Sequence, residues 1–361
     1  MYTVVEYLNM LKLAKRSPKT IQNYKNILSG YAQFLGVPLD DVHNHLNPKD
    51  LMNFSLSREG KSDRGNRTYL AILRRYFEIN DVKFDQLQQN ALRPTVTEPH
   101  FDKPLELETL QKMMDLADVH GKAVISMLIS TGMRIGECAA LKLSDVTDDV
   151  VTIPGAIAKN GRGGKVYLTI EARQFLDLWL KERDAYIARA DIWSGSLRHK
   201  GKPNNRPAND QRVFGCTRTT LYTIFTRLYQ KVDGEKGKYG YRCTPHSCRR
   251  FFRTHASETL GVDLTEYLMR HKGYLTDSYL RLPDEEVRQR FHRGEHVLYI
   301  TRASKRIEEQ RIEEIRKNQE EEIADLKKRL KELEDFQKRK DTMSAWVAKD
   351  KRNKNPKSGD V

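Results

Sequence analysis

Cysteine is scarce in this chain: Cys138, Cys216, Cys243 and Cys248 are the whole complement, and they show no disulfide-framework spacing. A fold without cross-links must rest on its apolar core, and a reducing cytoplasm is the expected compartment. Runs of apolar residues long enough to span a bilayer are also missing, and Met1-Tyr2-Thr3 opens no secretory leader. No membrane association is therefore expected. The third absence is an excess of acid. Lys and Arg number 64 against 49 Asp and Glu, which leaves a formal charge of +15 and a pI near 9.5. That is the electrostatic footprint of a protein that meets nucleic acid.

The patterning divides the 361 residues into segments of different style. Residues 1–92 carry apolar residues at three- and four-residue spacing, and Ser17-Pro18 and Asn47-Pro48 have the form of helix starts. A small helical domain is expected there, with Lys12, Lys15, Arg16, Lys19, Lys25, Arg64, Arg67, Arg74 and Arg75 on its polar faces. Residues 93–104 hold three prolines and no period, the style of an interdomain linker. A second domain over 105–300 begins with two apolar helical segments, LELETLQKMMDLAD and AVISMLISTGMRIGECAALKL. DVVTIPGAIAKNGRGGKVYLTI, residues 149–170, reads instead as a hairpin or small sheet around a Gly-rich turn. Helical patterning resumes at Glu171, broken by a long basic loop over 194–213. The fold class expected is mainly α with a small β-hairpin.

Beyond residue 300 the composition turns to Glu, Lys, Arg and Leu. Ile312 and Ile315, then Ile323, Leu326, Leu330 and Leu333, step by three and four, while Gln319 interrupts the phase. A helical extension over 301–341 is expected, either a short coiled coil or a single solvated helix, followed by a disordered basic tail over 342–361.

Chemistry concentrates in a few short stretches. TGMRIGE carries Arg134 and Glu137, and TPHSCRR carries His246 and Arg249. Guanidinium groups donate forked hydrogen bonds to two oxygens of one phosphate, and two forks with a histidine can clamp one phosphodiester. His246 and Arg249, three apart, are expected on one helix face. Arg250 and Arg253 could hold flanking phosphates or a carboxylate such as Glu137. LMRHKGYLTDSYLRLP adds His271, Tyr274 and Tyr279. A phenol is a weak nucleophile until nearby positive charge favours its phenolate. A leaving oxygen also needs a proton donor on a positionable element, and Lys159, on the turn AKNGRGGK, is a candidate. Cys243, His246, Cys248 and His255 do not have zinc-site spacing.

Taken in order, the contexts TGMRIGE, AKNGRGGKVYLTI, TPHSCRRFF and MRHKGYLTDSYLR resemble the tyrosine recombinases, or phage integrase family, with wording similar to archaeal and archaeal-virus members. The resemblance covers roughly residues 1–300. It implies a helical, SAM-like core-binding domain ahead of a catalytic domain, together forming a C-shaped clamp on double-stranded DNA. It further implies that Arg134 and Arg249 bind the scissile phosphate, His246 and His271 support its oxygens, and Glu137 props the arginines. Lys159 would protonate the leaving 5′ oxygen and Tyr279 would form a 3′-phosphotyrosyl bond, with Lys165 as an alternative acid. No metal or cofactor is implied, and the working unit would be a homo-tetramer passing through a Holliday junction. Integration or excision of a mobile element is the expected task. The rival expectations are a DNA-binding relative without chemistry and a type IB topoisomerase-like relaxer. Arg270 departs from the family pattern, standing where glycine usually precedes the histidine, and is expected to crowd the site or add a phosphate contact.

Overall fold

The computed structural model describes residues 1–93, 103–159, 161–194, 210–237, 240–271 and 282–353. The chain is mainly helical and divides into two compact units, Met1–Phe101 and Asp102–Val361.

In the first unit, helices α1 (Val4–Leu13), α2 (Pro18–Leu35), α3 (Pro48–Leu56), α4 (Asp63–Ile79) and α5 (Gln86–Ala91) start where side chains can satisfy their free N–H groups. Thr3 and Glu6 form a reciprocal capping box, Ser17 caps α2 ahead of Pro18, and Asn47 caps α3 ahead of Pro48. Each cap contributes about 1 kcal/mol. Gly36, with φ 71°, ends α2 in the left-handed region. The apolar faces close on Leu28, Tyr31, Leu51, Leu73, Tyr76 and Phe77, all buried. Lys12, Lys15, Arg16, Lys19, Lys25 and Arg67 remain exposed on the opposite faces, whereas Arg74 and Arg75 both lie against Glu78.

The second unit is built around α7 (Val119–Thr131), a helix buried on nearly every side. Around it lie α6 (Leu107–Leu116), α8 (Ile135–Ala140), α9 (Ile170–Ser194), α10 (Arg218–Val232), α11 (Pro245–Leu260), α12 (Val262–Leu268) and α13 (Asp284–Gly294). The segment read as one helix from AVISML to CAALKL is two, since Gly132 adopts φ 58° and breaks it. A Cβ at Gly132 would lie 2.4 Å from Cδ1 of the Phe252 ring, so glycine is required both for the turn and for the packing of α11 on α7.

The expected hairpin is a three-stranded antiparallel sheet, β1 (Val146–Thr147), β2 (Val150–Ile153) and β3 (Gly164–Tyr167), in the order β1-β2-β3 with Val151 opposite Val166. Ser130 of α7 donates to the Tyr167 carbonyl at 3.1 Å and accepts from the Thr169 N–H at 2.7 Å, which ties the sheet to the central helix. A second pair, β4 (Lys236–Gly237) and β5 (Gly240–Tyr241), was not legible in the sequence. Two-residue strands are too short to show a period.

The last helix of this unit starts from a fixed point. Buried Glu171 accepts the N–H groups of Ile300 and Thr301, both at 2.8 Å, and α14 (Arg302–Asn353) follows as one 52-residue helix. It continues past 341 to Asn353, where disorder was expected. No Gly or Pro stands between Arg302 and Asn353 to stop it.

Candidate active site

Arg134 follows the left-handed Gly132 turn that ends α7. It is the N-cap residue of α8, and Glu137 secures it twice: the Arg134 N–H donates to Glu137 Oε2 at 3.0 Å and Arg134 Nη1 donates to Oε1 at 3.0 Å. Glu137 is 2 % exposed. A buried carboxylate is costly unless paired, and here the pairing is double, since Arg270 Nη2 donates to the same Oε2 at 2.7 Å. Burial pushes the Glu137 pKa up, but the Arg134 N–H and the two guanidinium groups outweigh it and hold the group below the ordinary carboxylate value.

Arg249 lies deeper. Thr244 and Pro245 start α11, and one turn later the Arg249 side chain, 2 % exposed, donates Nη1 to the Gly132 carbonyl and Nη2 to the Met269 carbonyl, both at 2.6 Å. The guanidinium thus bridges the turn that carries Arg134 and the turn that carries His271. Burial first, then Arg134 and Arg270, lowers its pKa to about 10, so it stays charged at neutral pH. His246 is exposed near the start of the same helix. Both stand on α11 three residues apart, and Arg249 is drawn inward by two carbonyls while His246 is exposed.

His271 follows α12. Its Nδ1 is paired with Oε2 of Glu266, a buried carboxylate whose Oε1 accepts from Arg253 Nε at 2.5 Å. Arg253 therefore pairs with Glu266 and not with Glu137. Burial raises the Glu266 pKa, and Arg253 with His271 brings it below the ordinary value. An ionised carboxylate facing Nδ1 accepts a hydrogen bond from Nδ1–H, so in the neutral ring Nε2 is left as the acceptor.

Arg270, which precedes His271, is a buried cation. Its backbone is left-handed, φ 54°, where glycine is the unstrained choice. Its side chain is buried between Glu137 and the Leu268 carbonyl, 3.3 Å from Nη1. The stem passes over Gly164 of β3, where a Cβ would lie 3.2 Å from Arg270 Cδ. One side chain thereby links the carboxylate behind Arg134 to the strand that carries Lys165.

The turn between β2 and β3 leaves Lys159 exposed, and among the described residues it has no ion-pair partner. Gly155 and Gly163 shape that turn: a Cβ on either would lie under 3 Å from backbone atoms across it. Lys165 instead pairs with Asp284 at 2.6 Å, and that hydrogen bond raises its pKa. Tyr274 and Tyr279 lie outside the described residues, as does most of the basic loop 194–213.

Among the described residues, no group of three or more His, Cys, Asp or Glu is arranged to hold a metal, and no helix is long and apolar enough to cross a membrane. Sequence reading missed Glu266 and the carbonyls of Gly132 and Met269. The carbonyls carry no sequence signal, and Glu266 belongs to no motif. What the geometry offers chemically is a set of three guanidinium groups, Arg134, Arg249 and Arg270, gathered about the buried carboxylate Glu137, with the second buried carboxylate, Glu266, taken up by Arg253 and His271. Such an excess of fixed, preorganised donors stabilises an anion and the further charge that develops on it.

Comparison with known proteins adds three observations. The profile described as "Phage integrase family" matches residues 103–286, and that of the "Phage integrase, N-terminal SAM-like domain" matches residues 4–80. Tyrosine recombinase XerC of Oceanobacillus iheyensis is 31% identical over 309 residues, covering 80% of this chain and 93% of the relative. Tyrosine recombinase XerA of Thermococcus onnurineus is 26% identical over 298 residues, covering 79% and 93%. In fold, the chain is similar to a lambda integrase tetramer bound to a Holliday junction, with TM-score 0.51 and 16% identity over 76% of this chain and 75% of that one.

Proposed function

The chain belongs to the phage integrase family, and from that premise we propose that Arg134 and Arg249 hold the scissile phosphate of duplex DNA while Tyr279 attacks it. The protein is a tyrosine-type site-specific DNA recombinase. The observation that carries the assignment of residues is the cation excess around buried Glu137. Like charges so close repel, and a phosphodiester relieves the repulsion.

In the cleavage step the Tyr279 oxygen bonds to phosphorus and the bond from phosphorus to the 5′ oxygen breaks. Lys159 gives its proton to that oxygen, and the phenolic proton leaves towards a base, for which His271 Nε2 is suited. His246 supports a non-bridging oxygen. The 3′-phosphotyrosyl bond conserves the energy of the broken linkage, so a 5′ hydroxyl from another strand can reverse the step. Exchange between two sites calls for four active centres, and a homo-tetramer is the assembly that supplies them. DNA inside the cell is the natural location for this chemistry.

The test uses nicked duplexes from a randomised library, from which the full chain should select those it traps as protease-resistant adducts. The adduct peptide is expected to map to Tyr279, and Tyr279→Phe should bind DNA but trap none. An adduct on Tyr274 would overturn the choice of nucleophile. Sequence-specific binding with no adduct from the unaltered chain would overturn the chemistry.

A further inference from the structure

We propose that α14 is a pairing element between two copies of this chain, joined parallel and in register along Ile323, Leu326, Leu330 and Leu333. The proposal rests on the recombinase reading only in that DNA is what brings the copies together.

Every described side chain from Arg306 to Ser344 is exposed. Ile323, Leu326, Leu330 and Leu333 are 50 %, 55 %, 58 % and 65 % exposed, and their spacing of three, four and three puts them on one stripe of the helix. An apolar stripe on an otherwise charged helix gains by being covered. The charges beside it specify by what.

With Ile323 and Leu330 at the a positions of a heptad, and Leu326 and Leu333 at d, the flanking residues are Glu322 and Arg329 at g and Lys327 and Glu334 at e. In a parallel, in-register pair each g residue meets the e residue of the following heptad on its partner. Glu322 then faces Lys327, and Arg329 faces Glu334. Both contacts are attractive, and each occurs twice by symmetry. In an antiparallel pair g meets g and e meets e: Lys327 faces Lys327, Arg329 faces Arg329, and Glu320 faces Glu334. All of these repel. Arg329 also pairs with Asp325 of its own helix at 3.0 Å, which keeps its head beside the seam.

The apolar seam covers only two heptads, which is short for association in free solution. Two copies seated near one another on one duplex see an effective concentration in the millimolar range. The seam is thus a contact that closes on DNA and opens off it.

A disulfide test reads this directly, because the four native cysteines are buried. Leu330→Cys is placed in the Tyr279→Phe background, so that no cleavage contributes, and oxidised with glutathione disulfide with and without a long random-sequence duplex. Covalent dimer is expected to rise about tenfold or more on DNA. Lys327→Glu should suppress it by setting Glu against Glu322, and Glu322→Lys added to Lys327→Glu should restore it. A mixture of Ile323→Cys and Leu333→Cys chains should not cross-link between unlike copies. Cross-linking of that mixture, or failure of Leu330→Cys to self-cross-link on DNA, would overturn the parallel pair. Adduct formation by the unaltered chain is scored separately, so the recombinase reading stands or falls apart from the seam.

Discussion

At the scale of the residue, Arg270 joins two opposed contributions: a strained left-handed backbone and a buried pair with Glu137. Breaking a buried ion pair from one side costs about 3–5 kcal/mol, and a non-glycine residue in this conformation costs roughly 1–3 kcal/mol. Arg270→Ala loses the pair and keeps the strain, while Arg270→Gly loses the pair and relieves the strain. Both variants should be less stable than the native chain in urea unfolding, with Arg270→Gly the more stable of the two by about 1 kcal/mol. Equal stabilities would mean that the backbone carries no strain. The lysines make a second contrast. Lys159→Ala should slow cleavage of an ordinary phosphodiester and recover on a 5′-bridging phosphorothiolate, whose leaving group needs no proton. Lys165→Ala removes a solvent-exposed pair with Asp284 and should change stability by no more than about 1 kcal/mol. Rescue of Lys165→Ala by the phosphorothiolate would transfer the role of acid to it. That Arg134 and Arg249 belong with Glu137 was legible in the sequence, because arginine and glutamate advertise their chemistry. How Arg249 is held was not, since its partners are main-chain carbonyls that any residue supplies.

At the scale of the element, what was local was legible and what was tertiary was not. Ser17-Pro18 and Asn47-Pro48 mark helix starts because capping is settled within four residues. The break at Gly132 is decided by the Phe252 ring, more than a hundred positions away, while the apolar pattern runs on through it. The anchoring of α13 was equally invisible. Its Arg288 Nε donates to Asp149 Oδ2 at 2.9 Å, and His292 bridges Asp149 at 2.7 Å and Glu295 at 3.1 Å. In the sequence, this helix follows the stretch 272–281 that includes Tyr279. Glu295 first, then Asp149, raises the His292 pKa above its ordinary 6.5 against the opposing effect of burial. Its contribution to stability is therefore complete below about pH 6.5 and is lost as pH rises through the raised folded value. Burial opposes ionisation of Asp149, but Arg288 and His292 bring its pKa down to about 2. That contribution is present above its ordinary 3.8 and is lost as pH falls through about 2. The anchor should be strongest between those limits. Amide exchange in α13 should accelerate, beyond the intrinsic base catalysis, once pH passes the His292 transition, and His292→Gln should remove that step. A step that persists in His292→Gln would assign it to another group.

At the scale of the whole molecule, charge and assembly separate along the chain. Residues 306–361 hold sixteen Lys and Arg against fourteen Asp and Glu, so deleting them leaves thirteen of the fifteen net positive charges in place. The deleted side chains are exposed wherever they are described, and the Glu171 bonds to Ile300 and Thr301 lie before the cut. The truncated chain should therefore fold. Binding of duplex DNA by the full chain should fall steeply with salt, because a protein that neutralises ~6 or more phosphates releases their counterions, giving a log-log slope of about −5 or steeper. If phosphate contact belongs to residues 1–305, truncation should change that slope by less than about 1, one phosphate's worth. It should leave single-site cleavage near the native rate and weaken only the joining of two sites. A slope near zero in the full chain would remove the DNA clamp from the account. A shallower slope confined to the truncated chain would mean that α14 itself lies on phosphates, and the apolar seam would then need a different explanation from the pairing of two copies.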